Sequence, residues 1–254
     1  MFFYFKLHFF YFNVSICIDK TLKGGNKMDT IEKENKIICI DHLTKDFGYQ
    51  RGVFDISFNV YQGEVFGFLG PNGAGKTTTI RHIMGFAKPQ SGTVSVFGKE
   101  SYQYYNQILE NIGYLPGEVA LPENLTGKQF IQMMQELRKA KNFKRLQYLL
   151  EKFPLDLHED VKRMSLGDKR KLAIITAFMN DPDVLILDDI GGESITSWSR
   201  DDILLPLLNA RIDQHLTTIF ISEFSLEQLP LLYTIQKDHL KAEKLISKMK
   251  ELMD

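Results

Sequence analysis

Cysteine is scarce in this chain: two residues among 254, Cys17 and Cys39. Neither sits at the spacing of a metal or redox pair, which excludes a disulfide scaffold and a thiolate metal centre and points to a reducing, cytosolic setting. An excess of one charge is also missing. The 31 basic and 32 acidic residues leave a formal net charge of −1, which argues against a general nucleic-acid binder. There is no internal repeat. No unbroken apolar run is long enough to span a bilayer, because Lys6 and His8 interrupt the one candidate near the N-terminus. What remains is 44% hydrophobic and 25% charged, a balance that suits one globular domain, or one domain with a subdomain.

The first stretch, MFFYFKLHFFYFNVSICIDKTLKGGNKM, does not match the rest in composition. A signal peptide is one reading, but the apolar part lacks a small-residue cleavage site. A membrane span is another, short and broken by charge. A third reading comes from the codons. Lys23-Gly24-Gly25-Asn26-Lys27-Met28 can be spelled with AGGAGG, a bacterial ribosome-binding sequence, a short distance before an ATG. On that reading Met28 is the true start, residues 1–27 are a non-native leader, and 28–254 form the domain. Removing the leader's four lysines and one aspartate takes the net charge to −4.

From Glu64 the chain reads EVFGFLGPNGAGKTTTIRHIMGF. Val65 to Leu69 is an apolar run of the kind that makes a buried parallel strand. Gly70, Gly75, Lys76 and Thr77 fit G-x-x-x-x-G-K-[ST], and Thr77 to Ala87 reads as a helix closed before Pro89. Strand, glycine-rich turn and helix in that order form a phosphate-binding loop. Glycines let backbone N–H groups turn inward around phosphate oxygens, and the helix N-terminus adds partial positive charge. In this loop of Gly70, Pro71, Asn72, Gly73, Ala74, Gly75, Lys76, Thr77 and Thr78, the lysine supplies a full charge for the outer phosphates. The Thr77 hydroxyl can ligate Mg²⁺.

Other segments complete the outline. Ile37 to Ile40 reads as a strand, and Phe54, Ile56, Phe58 and Val60 alternate with polar residues as a half-buried one. Thr93 to Phe97 follows as another strand after the Ser91-Gly92 turn. Thr126 and Gln129 form a capping-box pattern opening a helix with Phe130, Met133, Met134 and Leu137 on one face. Asn142 to Phe153 reads as a second helix, and Ser165 caps a third through Met179. A helical insert at about 120–182 is therefore expected between two α/β parts. Val184 to Leu187 and Thr218 to Ser222 are further buried strands. The stripe Leu240, Ile246, Met249 and Met253 in the charged C-terminal segment could dock on the body or on a partner.

Asp183 to Asp189, DVLILDD, is an apolar strand ending in carboxylates, and in a phosphate-loop protein such a strand lies beside the loop. Between loop and strand stands MSLGDKRKL, Met164 to Leu172. With these motifs in this order the chain resembles the ATP-binding subunit of an ABC transporter over about residues 38–228. FGFLGPNGAGKTTTIRHIMGF and YLPGE…NLTG look most like the bacterial subgroup that exports drugs, antibiotics or bacteriocins. The resemblance implies an α/β fold: a P-loop NTPase (RecA-like) core with an antiparallel β subdomain and an α-helical insert. It implies MgATP bound between two head-to-tail subunits, as a homodimer or a heterodimer, on a separate transmembrane permease at the cytoplasmic face of the membrane. Phe47 then stacks on adenine, residues 70–78 grip phosphates, and Thr77 and Asp188 order the Mg²⁺ shell. Ser165 and Gly167 reach the partner's γ-phosphate, and Asp189 polarises the attacking water.

The sequence departs from that pattern in one direction. The water-polarising position is Asp189 where the family has Glu, a reach shorter by about 1.5 Å, and misplacement of that order can cost about a hundredfold in rate. Phe224 stands at the switch histidine, Gly117 at the Q-loop glutamine with Glu118 adjacent, and Ile190 and Ile195 at the usual Pro and Asp. Leu166 and Asp168 alter the signature. ATP-binding groups are intact while cleaving and coupling groups are eroded. An ATPase with weak hydrolysis is one reading, and a binding-only subunit paired with a competent ATPase is the other. If Met28 is the start, mass spectrometry of the native protein will find an N-terminal peptide beginning at Met28 or Asp29. Peptides from residues 2–20 would contradict that start.

Overall fold

The computed structural model describes residues 36–140, 142–192, 203–225, 228–234, 240, 242, 243 and 247. Residues 1–27, Ile195, Ile246, Met249 and Met253 lie outside them. Two four-stranded sheets form the frame. The first is antiparallel, in the order β2 (Gly52–Tyr61), β1 (Lys36–Asp46), β4 (Ser91–Val96) and β5 (Lys99–Glu100). The second is parallel, in the order β3 (Val65–Leu69), β8 (Thr217–Ser222), β7 (Val184–Leu187) and β6 (Ile112–Leu115).

Every residue of β3, β7 and β8 is buried, as expected of parallel strands covered on both faces. Their apolar runs carry no alternation for that reason. β2 shows the opposite pattern, with Ile56, Phe58 and Val60 inward and Asp55 and Ser57 outward. Its expected first inward residue, Phe54, is displaced by Val53, because the β1–β2 register shifts between Leu43 and Lys45 and Asp55 adopts a φ of 55°. The sheets meet through Phe58, stacked on Phe66 at 5.2 Å and tilted against Phe68 at 5.9 Å. Burying a side chain of this size stabilises by about 1.5–3 kcal/mol.

Helix α1 (Lys76–Ile83) follows β3 and is shorter than the sequence suggests. Gly85, at φ 73°, ends it: Gly85 N–H bonds His82 O and Phe86 N–H bonds Arg81 O, a left-handed glycine stop. Helix α2 (Ser101–Leu109), unforeseen from periodicity, is capped by the Glu100 carboxylate, which accepts from Tyr102 N and Gln103 N. Three helices then separate β6 from β7: α3 (Gly127–Leu137), α4 (Phe143–Lys152) and α5 (Leu166–Phe178). The capping box is present at α3, where Thr126 N–H bonds Gln129 Oε1 at 2.9 Å and Gln129 N–H bonds Thr126 Oγ1 at 3.3 Å. Helix α6 (Leu205–Asp213) precedes β8, and the short α7 (Leu229–Leu232) follows it. Leu240 is exposed while Ala242 is buried. The described part of the C-terminal stripe therefore does not pack through Leu240.

Two buried arginines pin this arrangement. Arg138, at the end of α3, donates to Thr176 O, Ala177 O and Ile112 O. The first two are among the last carbonyls of α5, which have no partner within the helix and lie at its negative end. Arg211 donates to Pro182 O, Asp183 O, Thr217 O and Thr218 Oγ1. Burial pushes both guanidinium groups down to about 10, so both stay charged at neutral pH. Arg138→Leu removes the donor from three buried carbonyls and should cost about 2–4 kcal/mol of stability, read as an earlier midpoint in chemical denaturation. An unchanged midpoint would show that Arg138 does not anchor the helices.

Candidate functional site

The parallel strands run in the same direction, so their C-terminal ends share one edge of the sheet. That edge is where open α/β sheets bind ligands. β3 leads into the glycine-rich loop, β6 into Pro116–Glu118, β7 into Asp188 and Asp189, and β8 into Glu223 and Phe224. Gly70 N–H bonds Ser222 O at 3.1 Å and Ala74 N–H bonds Pro71 O at 3.2 Å, which curls the loop over the sheet. Gly73 and Gly75 take φ of 84° and 86°, a region that favours glycine. Gly75 also admits no β-carbon: one built there would lie within 3.0 Å of Val53 Cγ1. The hairpin carrying Phe47, closed by Phe47 N–H to Arg51 O at 2.8 Å, therefore rests its second strand on the loop. Phe47 itself is 60% exposed with Lys45 Nζ over its ring.

Helix α1 starts at Gly75 without a side-chain cap and without an acid in its first turn. Lys76 is buried, and its ammonium donates to Gly70 O and to Pro71 O, the latter at 3.0 Å. Burial lowers its pKa, opposed by Glu223, Asp188 and Asp189. Thr77 is exposed, and Thr78 is half-buried with its carbonyl accepting from His82 Nδ1 at 2.7 Å. Asp188 Oδ2 accepts from Tyr114 O–H at 2.8 Å, and Asp188 Oδ1 accepts from Asp189 N–H at 3.0 Å. This carboxylate is thereby held in one orientation with lone pairs to spare. Asp189 has its pKa raised by burial first, then by Glu223 and Asp188, with Lys76 opposing. One cation and three carboxylates thus act on one another at this edge.

Among the described residues there is no cluster of three or more His, Cys, Asp or Glu side chains that could hold a metal alone. The donor set instead fits Mg²⁺, which is bound through one or two carboxylates together with substrate phosphates. Thr77 and Asp188 are the residues that would hold it.

Ser165 caps α5: its hydroxyl donates to Asp168 Oδ2 at 2.7 Å and accepts from Asp168 N–H at 3.1 Å. The hydrogen bond from Ser165, and then that from Lys171, hold the Asp168 carboxyl below its usual range. Gly167 is exposed, and Leu166 is 53% exposed. A cleft of about 450 Å³ lies between the start of α5 (Leu166, Lys169) and the loop after β6 (Gly117, Glu118), with Asp189 and Gly192 on its wall. Ser165 and Gly167 thus sit on the helix that borders this cleft, not among the phosphate-loop groups. Phe224 is half-buried. Its ring borders Gly191, which Leu229 and Leu232 of α7 also approach.

Three residues of the site escaped the reading of the sequence. Tyr114 is the hydroxyl on Asp188. Glu223 accepts from Asn72 Nδ2 at 2.6 Å and ties β8 to the loop. Gly192 lies against the Asp189 carboxylate. A signal existed only for Glu223, a carboxylate at the end of an apolar strand.

A model of the ABC transporter family matches residues 53–190. The bacitracin transport ATP-binding protein of Bacillus licheniformis is 33% identical over 225 residues, 81% of this chain and 71% of that protein. The Nod factor export ATP-binding protein I of Ralstonia nicotianae is 35% identical over 158 residues, 60% of this chain and 49% of that one. The chain thus spans about half the length of several relatives it matches. A solved ATP-binding subunit of an ABC transporter superposes with a TM-score of 0.65 at 26% identity, covering 77% of this chain and 82% of that one. A P-loop NTPase fold, a complete phosphate loop and these relatives agree: the chain belongs to the ABC transporter family, as one of its ATP-binding subunits.

Proposed function

We propose that this chain binds MgATP at the edge of its parallel sheet and drives export through a separate membrane permease, with weak hydrolysis of its own. The observation that carries the reading is a closed phosphate loop with Lys76 seated in it and Asp188 held beside it. Residues 70–78 hold the phosphates through backbone N–H groups and Lys76, and Phe47 offers its exposed face to the adenine. Thr77 and Asp188 hold Mg²⁺, which neutralises phosphate charge when bound. Asp189 orients water. Ser165 and Gly167 serve a second subunit's nucleotide, in a homodimer or a heterodimer.

The two exporter relatives, named for bacitracin transport and Nod factor export, support an export role and a drug or antibiotic class of cargo. No described helix is long and apolar enough to cross a membrane; on this reading a separate permease supplies the pathway. The chain then works from the cytoplasmic face, without nucleic acid as a partner. A second reading, a binding-only subunit beside a competent ATPase, is favoured by Phe224. Its phenyl ring offers no hydrogen bond to a phosphate and packs beside α7.

Two substitutions separate binding from turnover. Lys76→Ala should abolish MgATP binding in calorimetry. Unchanged affinity would rule out the phosphate-loop reading. Asp189→Asn preserves shape and removes the charge, so turnover should fall about a hundredfold or more while MgATP affinity holds. Equal, measurable turnover in both forms would remove Asp189 from the reaction, and no turnover in either would leave the binding-only subunit.

A further inference from the structure

Asp189 is not simply a shorter glutamate in an ordinary setting. It takes a φ of 59°, a region that L residues seldom adopt. The loop around it is fixed on both sides. Ile190 N–H bonds Ile221 O at 2.8 Å, and Ser222 Oγ donates to Ile190 O at 2.5 Å. Gly192 N–H then bonds Asp189 O at 3.0 Å, which folds Gly192 back over the carboxylate. On the other side, the β6–β7 pairing sets Leu115 opposite Leu187 and continues through Asp188 N–H to Leu115 O at 2.9 Å. Carried two residues further, that register sets Gly117 beside Asp189.

The consequence is a slot with glycine on both walls. A β-carbon at Gly117 would lie within 3.0 Å of Asp189 Cβ and Oδ2, and one at Gly192 within 3.0 Å of Oδ1, Cγ and Oδ2. Neither glycine is at positive φ. Backbone conformation therefore does not require them; space does. All these obstructing atoms belong to one side chain, Asp189.

We propose that Gly117 and Gly192 are positioning residues for the Asp189 carboxylate, and that in this backbone conformation the missing side chain at 117 is the condition for any side chain at 189. Gly117→Gln, which restores the side chain of the resembled pattern, lowers turnover because its β-carbon evicts the carboxylate. The two walls differ in kind. At Gly117 the obstacle includes Asp189 Cβ, which no side-chain rotation moves. At Gly192 it is the carboxylate end, which can swing away. This inference rests on Asp189 acting in hydrolysis, but the slot itself can be tested without turnover.

The test uses the full chain with its permease for turnover and the full chain for melting. Gly192→Ala should keep its melting temperature and its MgATP affinity while turnover falls by about a hundredfold, the effect of moving a reacting group by an ångström or so. Gly117→Ala should lose turnover and also melt earlier, by about 5 °C. Removing the obstacle reverses the melting cost: Gly117→Ala should melt normally in an Asp189→Gly background, yet still melt early in Asp189→Ala, where the β-carbon remains. A melting cost of Gly117→Ala that persists in Asp189→Gly would overturn the slot. Full turnover in Gly192→Ala, or no turnover in the wild-type complex, would overturn its positioning role and leave the nucleotide-binding reading to the Lys76 measurement.

Discussion

The in-register pairing of four parallel strands is the constraint on which the site depends. β3, β8, β7 and β6 lie side by side with every described residue of the first three buried. Such strands are held by their ladders and by apolar contact on both faces. Charged groups cannot sit within them at low cost, so they collect where the strands end. The phosphate loop, Asp188, Asp189, Gly117 and Glu223 all lie just past those ends. A slip of one residue in β7 against β6 would exchange the faces of its side chains and separate Tyr114 from Asp188 and Gly117 from Asp189.

The electrostatics of that edge suit a phosphate ligand with its cation. Lys76 is a buried ammonium satisfied by loop carbonyls, and three carboxylates act on it from neighbouring strand ends. The acids outnumber the base, and they repel one another: burial, Glu223 and Asp188 all raise the pKa of Asp189. A divalent cation with bound phosphates meets both needs, the excess negative charge and the anion-binding loop. Tyr114 and Asn72 hold two of the acids, Asp188 and Glu223, by hydrogen bonds, so the charges are placed before any ligand arrives.

Much of this was legible in the sequence, for identifiable reasons. The loop, its strand and its lysine follow from spacing, because the backbone's left-handed turns at 73 and 75 favour glycine. The carboxylates at the end of DVLILDD were readable because the strand before them is wholly apolar. The capping box of α3 was readable because both its bonds are local. What the sequence hid was long-range. The hydroxyl of Tyr114 meets Asp188 only across a strand pair, and Glu223 meets Asn72 only across the sheet. Gly117 reads in sequence as a lost glutamine, whereas in the fold its lack of a side chain makes room for Asp189. The end of α1 was misplaced because Gly85, a local stop, competes with a helical pattern that continues to Ala87.

The central claim is that the amides of the phosphate loop hold the nucleotide's phosphates. Amide hydrogen exchange of the full chain, with and without saturating MgATP, addresses it directly. The account predicts that exchange slows at residues 73–78, where the loop enters α1. Exchange there that stays the same with nucleotide present would contradict it.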